Sequence, residues 1–94
     1  MSSITTPITL LNAVVATGAS NAVQVDAGLP AFLQVSGITI ATVALQGSLD
    51  GTNWSTQGSA LTANGIVTIA NAPTYLRANM TAWTSGTVTA KIVY

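Results

Sequence analysis

Six side chains in this sequence are equipped for chemistry or recognition: Asp26, Asp50, Arg77, Lys91, Trp54 and Trp83. The first four are its entire charged set. Two carboxylates suggest the acid and base of a glycoside hydrolase. Their surroundings favour another role. Asp50 precedes Gly51, and Asp26 precedes Ala27-Gly28. An Asp in that context closes a turn by accepting hydrogen bonds from the backbone just ahead of it. Lys91 would need a Ser neighbour and a desolvated pocket to activate a nucleophile. It falls instead on the Thr-bearing side of an alternating run, as a solvated strand lysine does. Arg77 lies on the polar side of its own run, and an ion pair with Asp50, Asp26 or a partner's carboxylate is expected. Calcium needs several clustered oxygens, which two Asp and a few Asn supply only weakly.

The absent residues exclude more. The chain has no Cys, so it has no disulfide framework, thiolate nucleophile or zinc–sulfur site. It has no His, so it lacks an imidazole relay, an imidazole metal ligand and a switch near neutral pH. Two cations cannot neutralise a run of phosphates, and nucleic-acid binding loses its electrostatic term. Gly18, Gly28, Gly37 and Gly58 have neither the spacing nor the Lys of a phosphate loop. No catalytic residue, cofactor or metal is expected, and the chain does not read as an enzyme.

Recognition is then left to the aromatics. Trp54 follows the Asp50-Gly51 turn signal and is expected to pack back over its hairpin. Trp83 stands beside Thr84-Ser85-Gly86, where interface contact and structural packing are equally expected. An exposed Trp among Asn and Thr can stack on a sugar or anchor a protein.

What positions these residues is a β-rich chain of 94 residues, the length of one domain. Period-two alternation dominates. Val88, Ala90, Ile92 and Tyr94 share one face, Thr87, Thr89 and Lys91 the other, and only Val93 breaks the pattern. Leu76, Ala78 and Met80 alternate with Tyr75, Arg77, Asn79 and Thr81, and Ser85-Gly86 between the two runs predicts a hairpin over 75–94. Val43–Ser48 and Asn53–Gln57 flank Asp50-Gly51. Ile66–Ala70 follows Asn64-Gly65, with Thr56–Leu61 as its expected partner. Phe32–Val35 precedes Ser36-Gly37, and Ala22–Asp26 precedes Ala27-Gly28. Thr5–Val15 suggests a longer irregular strand in which Pro7 favours an edge. About seven to nine short strands, with turn signals about every 8–12 residues, predict an all-β fold: a small antiparallel β-sandwich or jelly-roll-like domain over 1–94, with 1–12 as an extended N-terminal arm. The charge-free stretches 27–49 and 51–76 are long enough to span a membrane but too rich in Ser, Thr, Asn and Gln. Residues 1–6 carry no Lys or Arg, unlike the start of a secretion signal.

Charged residues make up 4% of the chain, against roughly 25% in a typical domain. The formal net charge is +0, and a surface so neutral promotes association. Sheet edges are commonly guarded by Lys, and here one Lys serves the whole chain. Much of the surface is therefore expected to face other protein.

Two runs carry a family resemblance: Val43-Ala44-Leu45-Gln46-Gly47-Ser48-Leu49-Asp50-Gly51-Thr52-Asn53-Trp54, and Tyr75-Leu76-Arg77-Ala78-Asn79-Met80-Thr81 followed by Gly86-Thr87-Val88-Thr89-Ala90. Together they resemble small all-β virion proteins of tailed bacteriophages, of the capsid decoration (cement), head-fibre or tail accessory type. The resemblance implies a structural protein of the virion, on the capsid surface or at the neck or tail. It implies the major capsid protein or other virion proteins as partners, and homo-oligomers, with a trimer suggested by analogy. Ser48, Asp50, Gly51 and Trp54 are also similar in spacing to a hairpin of discoidin-like sugar-binding sandwiches. That makes a carbohydrate-binding module for host recognition the alternative. No nucleic acid or membrane partner is expected. The expected interface residues are Trp83, Trp54, Arg77, Ile4, Pro7 and Ile8, the last three on an arm able to add main-chain hydrogen bonds to a neighbour.

Overall fold

A computed structural model describes residues 8–25 and 27–94. They form an all-β, antiparallel, sandwich-like fold of seven strands. The strands are β1 (Ile8–Val14), β2 (Gly18–Ala19), β3 (Val23–Gln24), β4 (Ala31–Ser48), β5 (Ser55–Thr56), β6 (Gly65–Ile69) and β7 (Tyr75–Val93). β4 and β7 are 18 and 19 residues long and pair with each other from Phe32↔Val93 to Ser48↔Tyr75. At about 3.3 Å per residue, β4 would stretch roughly 59 Å if straight. The longest extent of the molecule is 38 Å, so the paired strands must bend.

The bend lies where the ladder loses register, between Ser36 and Val43. Gly37 (φ 80°) and Gly86 (φ 110°) face each other there. A Cβ on Gly86 would come within 2.6 Å of the Gly37 carbonyl oxygen and 2.7 Å of the Thr39 nitrogen. One on Gly37 would overlap the Thr87 carbonyl oxygen. Two features expected from sequence are corrected here. Ser85-Gly86 does not turn the chain and 75–94 is not a hairpin. Ser36-Gly37 likewise lies within a strand. Both glycines provide the left-handed backbone that a turn needs, but bulged strands need it equally.

The bend divides the ladder into two halves. In one, β1 and β6 flank the C-terminal part of β7 and the N-terminal part of β4. In the other, β2, β3 and β5 flank the opposite parts of the same two strands. Alternate residues of both halves enter one core: Leu33, Val35, Val43 and Leu45 from β4, and Leu76, Met80, Val88 and Ile92 from β7. These eight are the largest fully buried side chains.

Three smaller expectations also change. β6 pairs with Ala31–Val35, not with Thr56–Leu61; Leu61 instead bridges to Val43. Of the expected N-terminal arm, residues 8–12 belong to β1, which pairs with β7. Residues 1–7 lie outside the described part. The expectation of uniformly short strands fails at β4 and β7, which each supply two.

Candidate functional site

The β4–β5 connection is the expected Asp50-Gly51 hairpin, with Gln46↔Thr56 and Gly47↔Ser55 as its pairs. Asp50 holds it together. Its Oδ1 accepts from the backbone N–H of Thr52 at 2.8 Å and Asn53 at 2.9 Å, and from the Ser48 hydroxyl at 2.8 Å. Its Oδ2 accepts from Asn53 Nδ2 at 2.8 Å. Ser48, itself buried, accepts in turn from the N–H groups of Asp50 and Gly51. These donors, led by Asn53 N–H and Thr52 N–H, hold the Asp50 carboxyl well below the usual carboxylate range. The unfolded chain therefore binds this proton more readily than the folded one, and stability rises with pH across that interval. Asp50→Asn should unfold at lower temperature than wild type at pH 7, with the gap narrowing as pH falls through about 4. Thermal melts from pH 7 to pH 2.5 check this, and parallel curves would contradict it.

Beside the loop, Arg77 and Gln46 are directly opposed on β7 and β4. Arg77 Nε donates to Gln46 Oε1 at 2.8 Å, and the guanidinium carbon lies 4.3 Å from the centroid of the Trp54 ring. Among the described residues Arg77 thus meets an amide and a ring and forms no ion pair with Asp50; the Asp26 alternative lies outside the described residues. The outward-facing patch at Arg77 is roofed by the hairpin's own tryptophan, the packing expected of Trp54. A cleft of about 330 Å³ opens nearby, lined by Gly47, Ser48, Leu49, Asp50, Asn53, Ser55, Gln57 and Pro73.

Trp83 is half-buried against the core, on the bend. Its Nε1–H donates to the Gly86 carbonyl at 3.0 Å, so the indole braces the bulge. Trp83→Phe removes the donor and shrinks the indole to a phenyl ring. It is expected to lower stability by about 1–3 kcal/mol, lost hydrogen bond and lost packing together, measured by denaturant melts; unchanged stability would show that neither contributes. Ile8 is half-buried, paired with Ile92 and packed on the core. Ile4, Pro7 and Asp26 lie outside the described residues, so the expected arm contacts and the Asp26 turn are not placed.

The other half of the sheet shows residues that the sequence reading passed over. On its outer face Phe32 opposes Val93 and Thr68, and Gln34 opposes Lys91 and Ile66. Phe32 is 45% exposed and Ile66 61%. Phe32, Gln34, Ile66, Lys91 and Val93 line an apolar groove of about 280 Å³. The two outer faces therefore differ: one carries the Trp54–Arg77 roof, and the other leaves a phenylalanine and an isoleucine in the open. Val93, the one break in the terminal alternation, belongs to this patch. In comparisons with family models, curated proteins and solved structures, none matches the chain.

Proposed function

We propose that the chain is a structural protein of a bacteriophage virion: a capsid decoration or cement protein that binds the head lattice and stabilises it. The observation that carries this reading is the open apolar face of Phe32, Ile66 and Val93 on a molecule with only 4% charged residues. Exposed apolar side chains gathered in one groove suit a contact with another protein. Burying it contributes about 25 cal/mol per Å². Repeated at each site of a closed shell, modest contacts of this kind brace neighbouring subunits against the pressure of packed DNA. The resemblance of residues 43–54, 75–81 and 86–90 to phage virion proteins supports the same reading and suggests a trimer as the bound form.

Heads lacking the chain should bind the recombinant protein saturably and then resist heat or osmotic shock better. Heads that bind nothing at micromolar protein would contradict the proposal. The half-buried Trp54, next to a hairpin of Ser, Thr and Asn, favours a second reading, a glycan-binding module. That reading requires a saturable response to oligosaccharides, lost in Trp54→Ala.

A further inference from the structure

We infer that the groove of Phe32, Ile66 and Val93 receives a heterologous protein surface that sets a carboxylate among apolar side chains, with Lys91 as its counter-charge. This rests on the proposed function for the partner's being the capsid shell. It specifies which face docks and what chemistry meets it.

Most of this chain's few described charges are engaged by its own residues. Arg77 is engaged by Gln46 and Trp54, and both carboxylate oxygens of Asp50 are taken by its own loop. Among the described side chains, Lys91 is the cation left open, and it is exposed in the groove itself. Its register places it between Gln34 of β4 and Thr9 of β1, one row from Phe32 and Val93. A lysine stem lies along apolar surface while its ammonium reaches outward, so Lys91 lines the groove and charges its rim. A flat apolar partner would strip water from that ammonium and give nothing back. A partner carboxylate restores the lost interaction in a site where surrounding apolar contacts keep water out.

The same chemistry disfavours a second copy of this chain as occupant. Face-to-face pairing of identical surfaces is isologous. It would bring two Lys91 side chains onto a patch whose other residues, Phe32, Gln34, Ile66, Thr68 and Val93, carry no negative charge. Asp50 belongs to the hairpin on the other half of the sheet.

The test measures binding of purified variants to heads lacking the protein, at low and high salt. Lys91 is exposed, so its variants should keep the wild-type melting curve, whereas the Phe32, Ile66 double variant loses cross-strand packing and is assayed well below its own melting temperature. Lys91→Glu is expected to weaken binding at least tenfold, and Lys91→Arg to retain it. The double variant Phe32→Ser, Ile66→Ser is expected to lose binding comparably. Wild-type binding should weaken with salt, and that of Lys91→Gln should not. On decorated heads, a carbodiimide should join Lys91 Nζ to a capsid carboxyl as an amide, located by mass spectrometry. If wild type binds and all variants bind equally, the docking face is wrong while the virion reading stands. If only the double variant fails, the carboxylate assignment is overturned. Concentration-dependent dimers in sedimentation, abolished by the double variant, would give the face to a second copy and overturn the inference. If wild type does not bind at all, the underlying reading fails and the inference with it.

Discussion

Gly37→Ala is expected to lower stability by about 3–5 kcal/mol, a large share of what a domain this size possesses. Two costs combine. The backbone at φ 80° is left-handed, which costs a residue with a Cβ roughly 1–2 kcal/mol. The added Cβ would also overlap the Thr87 carbonyl oxygen, a backbone atom of the paired strand that cannot move without breaking the ladder. Gly86→Ala should behave alike, since its Cβ would meet Gly37 and Thr39 backbone atoms at 2.6 and 2.7 Å. Gly28→Ala is the internal control. It has φ 89° but nothing within 4 Å of its Cβ, so only the conformational cost of about 1–2 kcal/mol applies. Thermal melts should therefore place Gly37→Ala and Gly86→Ala roughly 15–30 °C below wild type and Gly28→Ala within about 15 °C of it. Equal effects at all three positions would show that the bend is not a close approach of two backbones.

The second large effect is expected from Leu45→Ala. Leu45 is fully buried, on the half of β4 that carries the hairpin, and packs in the core shared by both halves. Removing its side chain costs transfer free energy and leaves a cavity, together about 2–5 kcal/mol. Because one cluster joins the two halves, the loss should appear as a single cooperative transition shifted to lower denaturant. Two separate transitions would mean that the halves hold independent cores.

Much of this architecture is visible in the residue order, and the misses have definite causes. The alternations 76–80 and 88–92 mark buried positions correctly, because a half-buried strand imposes period two whatever its partner. The Asp50-Gly51 hairpin is legible because its bonds are local, within three residues of Asp50. The bend is not legible, because Ser36-Gly37 and Ser85-Gly86 are ordinary turn dipeptides until the β4–β7 register sets them face to face. Arg77 is 31 positions from Gln46, so its true partners depend on that same register. The open groove left one trace, the apolar Val93 out of phase with its neighbours. Phe32 was ambiguous alone. It alternates with Leu33 and Val35 on the opposite face, and both faces of that segment hold large apolar residues. Only the packing of Ala31, Leu33 and Val35 into the core decides that Phe32 points out.

That this chain coats a capsid lattice is a proposal. Its most direct test is the number of copies per particle, by quantitative mass spectrometry of purified virions against the major capsid protein. The account predicts a ratio near one per capsid subunit. A few to a few dozen copies would contradict decoration and move the chain to the neck, tail or fibres, and absence from the particle would contradict the virion reading altogether.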